Sequence, residues 1–403
     1  MTRVVFIFIL SFALPIFGIG QKKEAAIWRY GRFNGLDFNK QPVDIYTTKS
    51  GFSTGSASIC DSNGRLQFSF NGSFFYDRKD SIVVNLVPLQ FQGIPGGGFD
   101  ADLIIPFQAN SYQFHVFSVR DGPFPPTLYR MVFDMRRNRG LGGWDTSKTQ
   151  IVDTKVAYQV TCLLHANGKD TWLVSRRRYS DTLIAWQIQD TGVVKIAKTK
   201  IDSPVTGPNV DVPASSNSWD SPLKSSPNSE YLILPRRAKQ YPFHELLKFD
   251  RATGRFHSKV LIRDTSKTGN NLFINGFSDG CFSPDSRLLY IATGTRANAS
   301  LEFEGPGNFW QFSLDNYDSL SINLSRLFIG RLGRGNPNRS EPYPFSPRMQ
   351  LAMDGKIYVS PGLWTDSLLS VIHCPNSRGY DCQLKFREIN LQKGRNGSSF
   401  PTL

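Results

Sequence analysis

The segment CFSPDSRLLYIAT, residues 281–293, decides the fold of this chain. Two apolar residues precede a tight turn at Pro284 and Asp285, and an alternating strand rich in β-branched and aromatic residues follows it. Proline and aspartate favour type I turns, and residues of this kind fit the half-buried surface of a sheet. The segment therefore predicts a β-hairpin with one face in a hydrophobic core.

The same unit occurs at five other places along the chain. The other copies are CDSNGRLQFSF (60–70), FQANSYQFHVFSV (107–119), LLHANGKDTWLVS (163–175), KSSPNSEYLIL (224–234) and QLAMDGKIYVS (350–360). Their turns lie at Asn63-Gly64, Asn167-Gly168, Pro227-Asn228 and Asp354-Gly355. Successive turns are about 45–70 residues apart, which is the scale of one four-stranded propeller blade with loop insertions.

A further strand follows most units and often ends near an aspartate, as at Asp134, Asp190, Asp250 and Asp315. No long stretch keeps the three-and-four spacing of an amphipathic helix. We therefore predict an all-β chain that forms a β-propeller of four-stranded blades, similar to WD40 or YVTN propellers. Six blades, or seven if segments from both chain ends complete one, agree with the pattern.

The N-terminus predicts export. A short basic start at Arg3 precedes an apolar run from Val4 to Ile19, which Pro15 interrupts, and Gly20 supplies a small residue for cleavage. Residues 1–20 are predicted to be a signal peptide, and residues 21–403 a single propeller closed by its N- and C-terminal segments. The expected location is secreted or periplasmic, with no membrane-spanning segment after cleavage.

An aromatic segment follows the predicted signal. Tyr30-Gly31-Arg32-Phe33 and Leu36-Asp37-Phe38 are expected to pack the N-terminal strand against the last blade, because buried aromatic side chains mostly supply contact area.

The five cysteines fall into two groups. Cys374 and Cys382 bracket a short loop and predict a disulfide, which an exported protein can keep. Cys60, Cys162 and Cys281 lie just before the recurrent turns, on the predicted innermost strand of each blade. We expect them to be buried free thiols, because small apolar side chains suit that crowded position.

Arginines recur just past the second strand of four successive units, in a chain whose formal net charge is +14. The set comprises Arg120, Arg176, Arg177, Arg178, Arg236, Arg237 and Arg296. Equivalent loops of adjacent blades open on one face, so these residues predict a basic arc that binds an anionic ligand through guanidinium groups. The alternative is that they are ordinary surface charges paired with neighbouring acids.

The ordered set of motifs resembles a known family. The motifs are IWRYGRFNGLDFNKQPV (27–43), CDSNGRLQFSFNG (60–72), FDMRRNRGLGG (133–143), HANGKDTWLVS (165–175), FSPDSRLLYIATG (282–294), LAMDGKIYVSPG (351–362) and SVIHCPNSRGYDC (370–382). Together they resemble the N-terminal propeller region of large secreted Bacteroidetes proteins associated with type IX secretion and gliding. In many members a C-terminal sorting domain follows the propeller; this sequence is expected to be either a propeller-only member or a truncated one, so the resemblance does not imply surface anchoring. It implies no enzymatic activity and no site residues.

No motif for catalysis, metal or cofactor binding emerges. The five histidines form no HxH or HExxH pair, and no nucleophile elbow or P-loop occurs. The leading hypothesis is a non-enzymatic binding or scaffolding propeller of the cell envelope, with no metal or cofactor. Its partner would be an anionic glycan or an envelope protein, without nucleic-acid specificity. The alternatives are a propeller hydrolase or lyase that acts on extracellular polysaccharide, and an assembly part that contacts only other envelope proteins.

Overall fold

The computed structural model describes residues 23–52, 56–86, 102–120, 125–178, 180–202, 223–236, 243–262, 278–293, 296–297, 303–304, 307–332, 347–361, 367–392, 394–397 and 400–401. The predicted signal peptide and Arg237 lie outside these ranges, as do the side chains of Arg236 and Arg296. Export and the predicted domain limits therefore stay predictions.

Six four-stranded antiparallel sheets follow one another along the chain and form the blades of a β-propeller. Blade 1 contains β3 (Ala57–Cys60), β4 (Leu66–Phe70), β5 (Phe74–Asp77) and β6 (Ile82–Asn85). Blade 2 contains β7 (Asp102–Pro106), β8 (Gln113–Arg120), β9 (Thr127–Asp134) and β10 (Gly143–Trp144), with β11 (Gln150–Thr154) also paired to β9. Blade 3 contains β12 (Thr161–Leu164), β13 (Thr171–Arg176), β14 (Thr182–Gln189) and β15 (Gly192–Lys200).

The second half of the chain repeats this order. Blade 4 contains β16 (Lys224–Ser225), β17 (Tyr231–Arg236), β18 (Phe243–Asp250) and β19 (Arg255–Ile262). Blade 5 contains β20 (Ser278–Phe282), β21 (Leu288–Thr293), β24 (Gly307–Ser313) and β25 (Leu327–Leu332), with a small hairpin of β22 (Arg296–Ala297) and β23 (Phe303–Glu304) inserted. Blade 6 contains β26 (Arg348–Leu351), β27 (Ile357–Ser360), β28 (Leu368–Ile372) and β29 (Leu384–Asn390). An additional two-stranded sheet joins β1 (Ile27–Asp37) to β2 (Asp44–Phe52).

Antiparallel pairing places alternate connections on opposite faces of the ring. The second strand of each blade ends and the third begins on one face, which we call the BC face. The turns between first and second strands, and between third and fourth strands, lie on the other face, which we call the AB face. The predicted turns join the first and second strands, and Gly64, Gly168 and Gly355 adopt the positive φ that they require.

Neighbouring blades pack face to face through apolar clusters. Between blades 1 and 2, the ring of Phe133 stacks on Phe68 and Phe75 at centroid distances of 4.2 and 4.8 Å. Between blades 2 and 3, Phe117 and Trp186 belong to one buried cluster. This packing explains the high aromatic content, because each ring fills the space between two sheets.

The β1–β2 sheet closes the ring between blades 6 and 1. Trp28 and Phe38 are buried with Tyr358 of blade 6, and the Phe38 and Tyr358 ring centroids are 5.2 Å apart. On the other side, Arg29 Nη1 donates to the carbonyl of Asp77 in blade 1 at 2.9 Å. The predicted packing of the N-terminal aromatic segment against the last blade is thus confirmed for Tyr30, Leu36 and Phe38, whereas Phe33 is exposed.

The C-terminal segment also contributes to this closure. Arg32 and Arg395 exchange two backbone hydrogen bonds of 2.9 Å. Gly31 has a φ of 63°, and a Cβ at this position would collide with the carbonyl oxygen of Arg395, so only glycine fits. The propeller therefore has six four-stranded blades, and a two-stranded N-terminal sheet, bridged to the C-terminal segment at Arg395, lies where a seventh blade would be.

Helical structure is minor. Within the described ranges, the α-helix is α1 (Ser319–Leu324), and 3₁₀ turns occur at Lys23–Ala25, Asn138–Gly140, Thr146–Lys148 and Gly379–Cys382. No helix in the described part of the chain is both long and apolar enough to cross a membrane.

Candidate functional site

The predicted arginines lie at the BC face. Arg120, Arg176 and Arg236 are the last residues of β8, β13 and β17, and Arg177 and Arg178 follow β13 directly. Arg296 is the first residue of β22, within the connection between the second and third strands of blade 5. The sequence register thus identified the correct end of each strand.

Arg120 is buried inside blade 2. Its guanidinium carbon lies 5.5 Å from the ring centroid of Phe70 in blade 1. Burial lowers the pKa of Arg120, and the nearby charge of Asp102 raises it. Asp102 is itself buried and accepts a 2.6 Å hydrogen bond from Ser118 Oγ. Arg120 therefore has an internal counter-charge and does not reach the surface.

The arginines of blade 3 divide into buried and accessible groups. Arg176 is buried, and its Nη1 donates to the carbonyl of Ser180 at 3.2 Å. Arg177 is half-buried and forms an ion pair of 3.0 Å with Asp153. Arg178 is half-buried, with its guanidinium 5.9 Å from the Tyr158 ring centroid. Arg177 and Arg178 are thus the accessible arginines among the four whose side chains are described.

The predicted exposure of the arginines is corrected at two positions, and their predicted ligand binding is untested. The predicted arc of exposed loop arginines is wrong for Arg120 and Arg176. These residues belong to the ends of strands β8 and β13 and are buried. Ligand binding by the seven arginines stays a prediction.

Polar residues line the inner strands near the channel axis. Lys224 Nζ in blade 4 donates to Gln350 Oε1 in blade 6 at 2.9 Å, so this contact joins two blades that are not neighbours. In blade 5, Asp279 is fully buried and accepts a 2.7 Å hydrogen bond from the backbone N–H of Met349. Polar contacts therefore link the inner strands of blades 4, 5 and 6.

The three isolated cysteines occupy the innermost strands, as predicted. Cys60, Cys162 and Cys281 lie on β3, β12 and β20 outside any disulfide; Cys60 and Cys281 are buried, as predicted, and Cys162 is half-buried. Burial raises the pKa of Cys60 and Cys281 to about 12 and that of Cys162 to about 11. A thiol with such a pKa is a poor nucleophile at neutral pH, so the three are packing residues.

Cys374 and Cys382 are also free thiols in the structure, not the predicted disulfide. The backbone N–H of Cys374 donates to the carbonyl of Cys382 at 3.0 Å, so the two residues lie side by side. Oxidation to a disulfide stays a prediction.

Metal ligands do not cluster in the described part of the chain: no group of three or more His, Cys, Asp or Glu side chains could hold an ion.

One polar cluster in the structure was not predicted from the sequence. Arg130 on β9 donates a hydrogen bond to His115 on β8, and Arg130 lines a cavity on the AB face. The available signal was a single arginine inside the apolar strand TLYRMVFD (127–134). The residues that surround it come from two blades, and no local pattern brings them together.

Comparison with known proteins identifies no family for this chain. No protein-family model and no curated protein matches the sequence. Similar solved structures include a functionally unknown protein from Desulfotomaculum acetoxidans, 10% identical over 92% of this chain and 95% of that chain, with a TM-score of 0.41. The Dos1 propeller is 9% identical over 92% and 80%, with a TM-score of 0.45. A quinonprotein alcohol dehydrogenase-like protein from Bacteroides thetaiotaomicron is 11% identical over 94% and 78%, with a TM-score of 0.42. The class of this protein, a six-bladed β-propeller, is defined by its own strand pairing.

Proposed function

We propose that this chain is an exported, non-enzymatic binding propeller of the cell envelope whose BC face binds an anionic polymer. The observation that carries the proposal is a group of four basic residues at one corner of blade 3: Lys155, Arg177, Arg178 and Lys200. We call this group the blade 3 corner. The motif resemblance to envelope-associated propeller regions supports the same role.

Backbone contacts bring the four residues together. The N–H of Arg178 donates to the carbonyl of Lys155 at 2.8 Å, and the N–H of Arg177 donates to that of Thr182 at 2.9 Å. Thr182 is in turn the cross-strand partner of Lys200. Lys155 and Lys200 are exposed.

The charge of the corner favours an anion. Arg177 pairs with Asp153 at 3.0 Å, and Lys200 lies 3.6 Å from Asp202. These ion pairs offset two of the four cations, Arg177 and Lys200, in a chain that is itself strongly basic. Such a surface attracts polyanions, and the attraction weakens as salt rises.

The test is binding of the mature chain to immobilised polygalacturonate, with neutral dextran as the reference surface, at low and high salt. We expect salt-sensitive binding that falls about tenfold in an Arg177→Gln/Arg178→Gln variant, since each lost charged hydrogen bond is worth about 1.5–3 kcal/mol and surface exposure reduces this. The control is Arg136→Gln/Arg287→Gln, which changes the net charge equally on the AB face.

Equal losses in the two double variants would show that total charge, not the blade 3 corner, governs binding. Binding to dextran equal to that on polygalacturonate would overturn the anionic ligand.

A further inference from the structure

A cavity of about 360 Å³ opens on the AB face between blades 2 and 3. It lies between the turn after β7, the segment that joins β10 to β11, and the turn after β14. Its lining includes Phe107, Arg130, Lys148, Gln150 and Asp190. We call it the blade 2–3 pocket.

The central feature of this pocket is a buried arginine with neutral partners. Arg130 is only 5% exposed. Its Nε donates to His115 Nδ1 at 2.9 Å, and its Nη1 donates to Gln150 Oε1 at 3.0 Å. Burial alone lowers the pKa of Arg130, and no described carboxylate acts on it. Because buried charges in proteins are normally paired, this guanidinium is suited to an anion from outside the chain.

His115 holds the guanidinium in place and stays neutral. Arginine can only donate and a backbone carbonyl can only accept, so Nδ1 accepts from Arg130 while Nε2–H donates to the carbonyl of Gln189 at 3.0 Å. Phe107 stacks on the imidazole with ring centroids 4.2 Å apart. Burial, followed by the charge of Arg130, lowers the pKa of His115 to about 3. A neutral imidazole orients Arg130 without neutralising or repelling it.

The backbone of blade 3 also supports this position. Gly192 has a φ of 125°, and a Cβ there would lie 3.3 Å from Arg130 Cζ. A glycine at this point lets the start of β15 pass beside the guanidinium group.

The other charges of the pocket set the charge of its ligand. Asp190 accepts backbone hydrogen bonds from Gln108 at 2.6 Å and Ala109 at 2.8 Å, so its carboxylate links blade 3 to blade 2. Lys148 is exposed, with its Nζ 3.8 Å from Asp145. Asp145 lies outside the lining and pairs more closely with Arg137, at 3.1 Å, so Arg130 and Lys148 against Asp190 give the lining a net charge of +1, which matches one negative charge.

The remaining lining residues are polar and neutral. Ser147, Thr149 and Thr191 supply hydroxyl groups, and Gln150 supplies an amide. These groups suit a ligand with several hydroxyls, and the planar guanidinium suits a carboxylate. Asp190 can accept hydroxyl donors but disfavours a multiply charged anion.

We propose that the blade 2–3 pocket binds the carboxylate of a single acidic sugar, a uronic acid, with Arg130 as its principal ligand and Lys148 as a second cation. The site lies on the face opposite the blade 3 corner and is independent of it.

The test is calorimetric titration of the intact chain with galacturonate, glucose and inorganic sulfate. We expect galacturonate to bind, and glucose and sulfate to bind at least about tenfold more weakly, the loss expected for one missing charged contact. Arg130→Met should weaken galacturonate binding by at least about tenfold, and Arg136→Met, an exposed arginine of the same blade, should leave it unchanged.

A second pair of variants keeps the proposal testable if Arg130→Met does not fold, because both substitutions are at exposed positions. Lys148→Gln removes an exposed cation of the pocket and should weaken galacturonate binding several-fold. Lys79→Gln, exposed on the AB face of blade 1, should not. Equal affinity for glucose and galacturonate would show that the carboxylate is not recognised. Equal affinity for sulfate and galacturonate would show that the ligand need not be a sugar acid. Unchanged galacturonate affinity in both Arg130→Met and Lys148→Gln would show that the ligand does not bind in this pocket.

The outcome is separable from that of the proposed function. Loss of galacturonate binding in Arg130→Met, with polygalacturonate binding unchanged in Arg177→Gln/Arg178→Gln, would support the pocket and reject the blade 3 corner. The reverse pattern would reject the pocket alone.

Discussion

Blade 2 contains two buried arginines in surroundings of opposite character. Arg120, on β8, faces the carboxylate of Asp102 and the ring of Phe70. Arg130, on the neighbouring strand β9, contacts a neutral imidazole and an amide. Both are 5% exposed. Burial of a charge therefore does not distinguish a structural arginine from a binding arginine, whereas the charge of its partner does.

The largest expected effect is the loss of the counter-charge of Arg120. Asp102→Ala should lower the free energy of unfolding by about 3–5 kcal/mol, because it leaves a buried guanidinium uncompensated. Urea unfolding followed by tryptophan fluorescence measures this loss. An Asp102→Ala/Arg120→Met double variant should recover much of it, since neither charge remains. A double variant no more stable than Asp102→Ala would contradict this interpretation.

The next effect concerns His115 and acidic pH. The pKa of His115 is about 3 in the folded chain against an ordinary value of 6.5, so the unfolded chain takes up the proton first. The stability that the folded chain gains from keeping His115 neutral is therefore fully present above pH 6.5 and is lost as the pH falls toward 3. His115→Gln should reduce the slope of stability against pH in this window by up to about 1.4 kcal/mol per pH unit.

Urea titrations at several pH values check this slope, with His257→Gln on β19 as the matched histidine variant. A slope in His115→Gln equal to that of the wild type would show that the imidazole titrates alike in the folded and unfolded chains.

The smallest effect is expected at Arg130 in the absence of ligand. Arg130→Met loses two hydrogen bonds to neutral groups but also removes an uncompensated buried charge, so stability should stay within about 1 kcal/mol of the wild type. Urea unfolding in ligand-free buffer measures it. Arg136→Met, an exposed arginine paired with Asp134, is the reference and should unfold at the wild-type midpoint. A loss at Arg130 as large as that in Asp102→Ala would make the two arginines equivalent and remove the basis for the pocket.

Much of the fold follows from local sequence. The recurrent turn is a short-range signal, because Asn-Gly, Asp-Gly and Pro-Asp specify turn geometry without help from distant residues. Cys60, Cys162 and Cys281 could be assigned to inner strands from their position before that turn. The aromatic segment at the N-terminus could likewise be assigned to the last blade.

The candidate sites were less predictable because they depend on distances between blades. The sequence identified the BC end of β8 and β13 but did not show that Arg120 and Arg176 continue the strands into the core. The surroundings of Arg130 include residues before β8, beside β11 and after β14, up to about 80 positions apart in the chain, as Gln108 and Asp190 are separated by 82 residues. Only the packing of blade 3 against blade 2 brings them together.

The backbone bridge between Arg32 and Arg395 has a kinetic consequence. Asn34 donates to the carbonyl of Arg395 across 361 residues of chain, whereas neighbouring blades are joined by much shorter segments. Contacts of such long sequence separation form late, because the chain between them must first be ordered. Folding should therefore proceed blade by blade into an open arc. The ring closes only when β1, at the start of the chain, pairs with the C-terminal segment at Arg395.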